Sequence, residues 1–266
     1  IVVSSGVIQL ADLAQSIDFI QSGAINYDSN NDQTGREFKI GTNRSAGSSG
    51  GTTNLCLDEN SVISLSNNDS GTSNTIFGKT AGDSDGAGDF NVFVGELSGG
   101  TGTQTDDADG NVGVGYRALT DVTSGNQNIA LGKDALTNIT SGDSNIGIGS
   151  DALGTATTAE DIIAIGRGAA YAVNSDDADG IIAIGRNALA SNTSGIANVA
   201  IGFSALDAED DGDKSTAIGH EALTAQTGTS GTVGNTAVGF QAGSNITTGI
   251  ENTSVGAFST ISAVGG

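Results

Sequence analysis

The sequence predicts an all-β protein, a β-solenoid or β-roll of about eleven coils, each of about 17 residues, that follows a short β-rich N-terminal region. Three observations lead to this prediction. A nine-residue unit, best represented by NVAIGFSAL at residues 198–206, recurs along the chain. Each copy alternates apolar residues before one glycine. Glycine supplies 42 of the 266 residues, whereas proline is absent. We therefore divide the chain into an N-terminal β-rich region, residues 1–70, and a repeat β-roll fibre domain, residues 71–266.

The glycine of each unit, called the repeat glycine below, sets the period. The repeat glycines are Gly78, Gly95, Gly115, Gly132, Gly149, Gly166, Gly185, Gly202, Gly219, Gly239 and Gly256. Most steps between successive glycines have the same length, as from Gly115 to Gly132 and from Gly132 to Gly149, and three steps are slightly longer. A near-constant period of this kind is typical of solenoids, in which each coil packs against the next.

The residues before each repeat glycine predict a strand. Apolar residues lie one and three places before the glycine, as Ile201 and Val199 do, and side chains two apart share one face of a strand. The residue between them, such as Ala200, is small in most copies. We expect the larger residues to stack along the fibre, and the small residues to mark a face that packs closely against something, where a neighbouring chain could lie.

The residues after each repeat glycine predict the rest of the coil. Two variable residues are followed by Ala or Ser, often by Leu, and then by a turn such as Thr123-Ser-Gly125. Glycine is the natural residue for a turn that needs positive φ. Each coil is thus predicted to contain a strand, a glycine bend, a short second strand and a turn. Stacked coils would form two ladders of short strands.

The N-terminal region, residues 1–70, lacks the repeat but contains short alternating stretches. Strands are predicted at residues 16–21, 37–40, 54–58 and 61–65. Residues 8–17 could instead form a short helix, because Leu10, Leu13, Ala14 and Ile17 would share one helical face.

Charge and cysteine content exclude several classes of protein. The chain has 31 acidic and 9 basic residues, a net charge of −22, which argues against binding to nucleic acid or to an anionic membrane. No apolar run approaches the ~20 residues of a membrane-spanning helix. Cys56 is the only cysteine, so no disulfide can form within the chain. A charge of this sign favours a solvated acidic surface and leaves room for divalent cations.

Acidic loops are the candidate metal sites. Two DDADG segments coincide with lengthened repeats, and their carboxylates at alternate positions could hold Ca²⁺, although neither has the spacing of an EF-hand. The candidate calcium ligands are Asp106, Asp107, Asp109, Asp176, Asp177 and Asp179. A solvated acidic protrusion is the alternative interpretation. No other cofactor is predicted.

No catalytic residue is predicted, and we do not expect an enzyme. His220 is the only histidine, and it occupies the variable position after a repeat glycine. Five basic residues lie one or two places after a repeat glycine, where they could form ion pairs between subunits. They are Lys79, Arg117, Lys133, Arg167 and Arg186. Tyr116, Phe203 and Phe240 lie directly after a repeat glycine, as His220 does, and could contact carbohydrate or pack at an interface.

The repeats resemble those of two protein families. Their VAIG core is similar to the head repeats of trimeric autotransporter adhesins. Residues 235–256, NTAVGFQAGSNITTGIENTSVG, look closer to repeats of bacteriophage tail-fibre proteins, and residues 64–78 resemble the entry into such repeats. The resemblance covers roughly residues 60–266. It implies a homotrimeric fibre of left-handed β-rolls that contacts a host surface.

The resemblance also implies a function. We expect a structural fibre protein of a virion, a phage tail fibre or spike, which holds or performs host-surface attachment outside the cell. Its partners would be its own copies, other virion proteins and a host receptor or glycan. A bacterial trimeric adhesin at the cell surface is one alternative. A single-chain solenoid such as an ice-binding protein is another, but its threonine ladder would be interrupted.

Overall fold

The computed structural model describes residues 73–82, 88–100, 104–105, 107–175, 178–228 and 230–260, and the backbone of four short strands nearer the N-terminus. The chain divides into two units, Ile1–Ser64 and Leu65–Gly266.

The first unit contains two pairs of short antiparallel strands. β1 (Val2–Ser4) pairs with β2 (Val7–Gln9), and β3 (Lys39–Ile40) pairs with β4 (Asn54–Cys56). β3 and β4 fall within the strands predicted at residues 37–40 and 54–58. The helical alternative is wrong where it overlaps β2, and its other residues, 10–17, lie outside the described ones. The strands predicted at residues 16–21 and 61–65 also lie outside them.

The second unit is a β-solenoid built on one parallel sheet of eleven strands. Each strand of this sheet is three residues long and ends directly before a repeat glycine. The strands are β5 (Thr75–Phe77), β6 (Val92–Val94), β7 (Val112–Val114), β8 (Ile129–Leu131), β9 (Ile146–Ile148), β10 (Ile163–Ile165), β11 (Ile182–Ile184), β12 (Val199–Ile201), β14 (Thr216–Ile218), β16 (Thr236–Val238) and β17 (Thr253–Val255). Two further strands, β13 (Gly212–Asp213) and β15 (Gly231–Thr232), lie outside this sheet. The predicted all-β solenoid of about eleven coils is confirmed.

Adjacent coils pair residue for residue. Val199 of β12 lies opposite Thr216 of β14, and Ile201 lies opposite Ile218. The same register holds across the longer steps, as between β10 and β11 and between β6 and β7. The additional residues in those steps therefore leave the sheet unchanged. Every position of the repeat forms a column along the solenoid.

The close packing predicted for the small residues is found, but inside their own coil and not against another chain. The middle residue of each strand points into the coil, and Ala164, Ala183 and Ala200 are fully buried. The flanking residues, such as Val199 and Ile201, point outward and are only partly covered. The small residues are small because the interior of one coil is narrow, and they do not form a surface for another chain.

The predicted second ladder of strands is also largely absent from the described coils. The segment after the repeat glycine is a series of turns, because two of its residues adopt left-handed backbone conformations, as Asn187 (φ 56°) and Leu189 (φ 52°) do. A strand cannot continue through such residues. A second short ladder forms only between β13 and β15, which pair in parallel.

The core is a set of parallel columns. One column is the middle residue of the strand, and another is the alanine or serine three places after the repeat glycine. A third consists of fully buried leucines: Leu119, Leu136, Leu153, Leu189, Leu206 and Leu223. Leu136 lies beside Gly147 and Leu223 lies beside Gly243, each in the next coil, so a chain with few large side chains can fill this interior.

Asparagines directly before eight of the eleven strands of the sheet join the coils. Asn128 is fully buried, its Oδ1 accepts the backbone N–H of Asn145 at 3.0 Å, and its Nδ2 donates to the carbonyl of Gly142 at 2.8 Å. Asn111 and Asn198 make equivalent bonds. Because the bonds reach backbone groups of the next coil, this ladder fixes the spacing of coils at the corner where the strand begins.

Candidate functional site: the outward sheet face and its two edges

The outward face of the sheet is a continuous surface of partly exposed, mostly apolar residues. We define it as the residues one and three places before each repeat glycine. Most are Val or Ile, and threonine occurs at Thr75, Thr216, Thr236 and Thr253. Exposed fractions reach 37% at Val114, Ile218 and Val238, and 68% at Val255.

The dimensions of this face follow from sheet geometry. Ten steps of about 4.8 Å between eleven strands give a length of about 50 Å, and three residues give a width of about 10 Å. A contiguous apolar patch of several hundred Å² on a soluble protein is typical of an interaction surface.

One edge of the outward face, the trailing edge, is formed by the residue directly after each repeat glycine. It is mostly charged or polar up to Arg186 and mostly aromatic from Phe203 onward. Its members are Lys79, Glu96, Tyr116, Lys133, Ser150, Arg167, Arg186, Phe203, His220, Phe240 and Ala257.

Several trailing-edge residues pair within their own chain. Lys79 Nζ lies 3.2 Å from Glu96 Oε1, and Lys133 Nζ lies 2.7 Å from Asp134 Oδ2. The hydrogen bond and the charge of Asp134 raise the pKa of Lys133. Asp134 Oδ1 is also 3.4 Å from Arg117 Nη1. Three of the five basic residues predicted to bridge subunits therefore have partners in their own chain.

The later trailing edge is a stack of rings. The guanidinium of Arg186 lies 5.4 Å from the ring centre of Phe203, and the rings of Phe203 and His220 stack at 4.9 Å. His220 stacks in turn on Phe240 at 5.2 Å, and Phe240 meets Phe258 edge to face at 5.0 Å. His220 is thus an exposed member of a surface stack.

The other edge, the leading edge, is formed by the residue six places before each repeat glycine. Sequence analysis missed this column, although its fixed offset from the glycine would have revealed it. Its members are Asp89, Asp109, Asn126, Asp143, Glu160, Asp179, Ile196, Asp213, Val233 and Ile250. All but Val233, which is 1% exposed, are at least partly accessible. Acidic residues predominate, so the two edges of the outward face differ in charge.

Leading-edge carboxylates also hold the backbone. Asp109 Oδ1 accepts the N–H of Asp89 at 2.6 Å, and Asp143 Oδ1 accepts that of Asn126 at 2.8 Å. Asp179 Oδ1 repeats the bond to the coil before it at 3.1 Å. Each of these aspartates therefore connects its own coil to the preceding coil through a hydrogen bond to the backbone.

The structure describes three of the six candidate calcium ligands. Asp109 and Asp179 each use one oxygen for a backbone hydrogen bond, and Asp107 is exposed. Asp106, Asp176 and Asp177 lie outside the described residues. Among the described residues, no group of three His, Cys, Asp or Glu side chains is arranged to hold a metal ion.

A polar groove of about 660 Å³ adjoins the leading edge in the early coils. Phe90, Asp107, Gln127 and Asp143 are among its lining residues. The ring of Phe90 is 64% exposed, and its φ is 59°, an uncommon backbone conformation for a bulky residue. The groove is shallow and acidic.

A buried polar cluster, which sequence analysis missed, interrupts the apolar core in the later coils. Glu209 is fully buried, and its Oε1 accepts N–H bonds from Gly212 at 2.8 Å and Asp210 at 3.1 Å. Its Oε2 accepts a bond from Nε2 of Gln226, which also donates to Ser215 Oγ at 2.9 Å. Hydrogen-bond donors surround this carboxylate, which gives it a structural role.

Comparisons with protein-family models, with curated proteins and with solved structures each find no match. Within the described part of the chain, no helix is long and apolar enough to span a membrane. The inference of function therefore rests on the surfaces of the solenoid.

Proposed function

We propose that this chain is a non-enzymatic structural protein of a virion, a segment of a phage tail fibre or spike that holds or performs host-surface attachment. We propose further that it forms a homotrimer through the outward face. The observation that carries the proposal is the apolar outward face, which extends over eleven strands of one sheet. The resemblance of the repeats to tail-fibre repeats supports the virion setting.

A shared interface accounts for the composition of this face. Val and Ile columns exposed to water along about 50 Å favour association, because burying apolar area is the main favourable term in assembly. A cyclic trimer brings the same face of every copy to a central axis and leaves no face uncovered. The loops and turns of each coil then remain outside, where they are available to other virion proteins and to a receptor or glycan.

Solution mass tests the assembly. Size-exclusion chromatography with light scattering should give about three times the 26.1 kDa of one chain. The variant Ile165→Lys/Ile201→Lys places two cations on the outward face and should run as a folded monomer with an unchanged β circular-dichroism spectrum. The control Ser191→Lys adds a cation at an exposed turn and should leave the mass unchanged. A wild-type chain that runs as a monomer would contradict the proposal.

The virion setting is tested separately by electron microscopy. Antibodies against the chain should decorate fibres on phage particles. Decoration of bacterial cells without phage would instead support the adhesin alternative.

A further inference from the structure

We infer that copies of this chain associate in parallel and in register, with the trailing edge of the coils of Gly166 to Gly219 against the leading edge of the same coils in the neighbouring copy. The inference rests on the proposed homo-oligomer and adds its polarity, its register and the residues that set them. A coil-by-coil match between the two edges of one chain carries it.

The match is clearest in the coils of Gly166 to Gly219. Where the trailing edge has a cation, the leading edge of the same coil has a carboxylate: Arg167 with Glu160, and Arg186 with Asp179. In the next coil both edges become apolar, and Phe203 matches Ile196. One coil later both change again, and His220 matches Asp213. The two edges therefore change character together along four successive coils.

The pattern continues less regularly elsewhere. In the last coil Ile250 is 52% exposed at the leading edge, and Ala257 and the exposed Phe258 follow the glycine. Five coils depart from the match. Asp89 and Glu96 are both acidic, and the Val233 that corresponds to Phe240 is buried. In three further coils the leading-edge residue has no counterpart of matching character at the trailing edge: Asp109 with Tyr116, Asn126 with Lys133, and Asp143 with Ser150. The match thus extends mainly over the four coils of Gly166 to Gly219.

Contacts within one chain do not explain the match. A strand about 10 Å long lies between the two edges of a coil. Within the described part of the chain, neither Arg167 nor Arg186 forms an ion pair with a carboxylate of its own chain. The residues that match in character therefore do not pair within the described part of one chain, and a second copy would bring them together.

Symmetry then fixes the arrangement. Rotation about an axis parallel to the solenoid brings the trailing edge of one copy to the leading edge of the next at the same height, so each coil meets its own counterpart. A two-fold axis that makes the copies antiparallel brings like edges together. That arrangement would place the arginines of the trailing edge beside one another, and like charges at an interface suppress the wrong mode of association.

Cross-linking tests register. In a Cys56→Ser background, Asp179→Cys/Arg186→Cys introduces thiols on matched edges, and a short bis-maleimide should convert most of the chain to covalent multimers. The control Asp109→Cys/Arg186→Cys sets the thiols four coils apart, about 19 Å along the sheet, and should remain mostly monomeric in denaturing gels. Equal yields from both pairs in a multimeric sample would overturn the inference.

Charge exchange tests the pairing itself. Arg186→Glu should increase the protein concentration at half-dissociation about fivefold or more, because carboxylates then face each other at every interface. Asp179→Arg/Arg186→Glu restores opposite charges between copies and should return the value close to wild type. Failure of the double variant to recover would contradict the pairing.

The same measurements separate the two proposals. A monomeric wild-type chain removes the homo-oligomer and this inference together. A multimer without the matched cross-link, or without recovery by the charge exchange, leaves the homo-oligomer standing and removes only the register.

Discussion

The repeat position requires glycine because the backbone of the next coil lies directly beside it. Gly202 has φ of 140°, and a Cβ built on it would lie 2.3 Å from the carbonyl oxygen of Gly219. Gly219 meets Gly239 in the same way at 2.1 Å. The absence of a side chain at each repeat glycine thus leaves room for the backbone of the next coil. Close stacking of the coils therefore requires glycine in this column as much as the backbone conformation does.

Gly202→Ala should therefore lower the free energy of unfolding by at least about 3 kcal/mol, since both the backbone conformation and the contact resist a side chain. The control is Gly234→Ala, where φ is 64° and the nearest atom to a Cβ is 3.9 Å away. It should cost only about 1–2 kcal/mol. Chemical denaturation measures both, and equal losses would show that stacking does not determine the glycine.

Phe93 is a large residue at a core position where most coils have alanine or glycine. This residue occupies the small middle position of β6 and is 1% exposed. Gly99 and Gly113 surround its ring, and a Cβ at Gly99 would lie 2.6 Å from it. The large side chain is accommodated because its neighbours have none.

At the scale of the element, the sequence predicted strand positions well and strand environment poorly. The alternation around Val199 and Ile201 shows which residues share a face, but it cannot decide which face points inward. Small residues are typical of a tight interface and also of a narrow core, and only the closure of the coil distinguishes them. The predicted second strand failed for a local reason: left-handed leucines such as Leu189 are rare, and no residue pattern indicates them.

The candidate surfaces were predictable to a similar degree. The basic and aromatic column was identified from its offset after the glycine. The acidic column was missed because its members differ in type and lie near turns. The Glu209 cluster was missed because its residues come from different coils, and only register brings Gln226 and Glu209 together.

Removal of the buried carboxylate tests the polar cluster. Glu209→Ala should destabilise the protein by about 2–4 kcal/mol, because the N–H groups of Gly212 and Gln226 lose their acceptor in a buried site. The neighbouring control Asp210→Ala removes an exposed carboxylate and should cost less than about 1 kcal/mol. Thermal unfolding followed by circular dichroism measures both. A small effect at Glu209 would mean that water reaches the site.

In the molecule as a whole, each coil contributes to stability and varies in length as a separate unit. Each strand pairs only with its immediate neighbours, so stability is approximately a sum of coil and interface terms. Insertions in the longer coils leave the register intact, which shows that length is free to vary outside the sheet.

Deletion of one entire coil should therefore be tolerated. Removal of residues 133–149 joins Gly132 to Ser150 and leaves the ordinary period between Gly132 and the next repeat glycine, Gly166. We expect a folded β-protein with a cooperative transition and a melting temperature within several degrees of wild type. Removal of residues 133–141 breaks the register and should abolish the transition. Similar unfolding of both deletions in calorimetry would contradict independence of the coils.

The direction of the hydrogen bonds has a mechanical consequence. Strands cross the solenoid, so the bonds between coils, including the asparagine ladder, point along its length. Tension along that length acts on one junction between coils at a time. The coils of a single chain would therefore separate one after another, starting at the end that is pulled. In the proposed homotrimer, copies joined side by side would carry the same tension as shear spread over the whole outward face. Such a fibre would gain tensile strength from its lateral contacts.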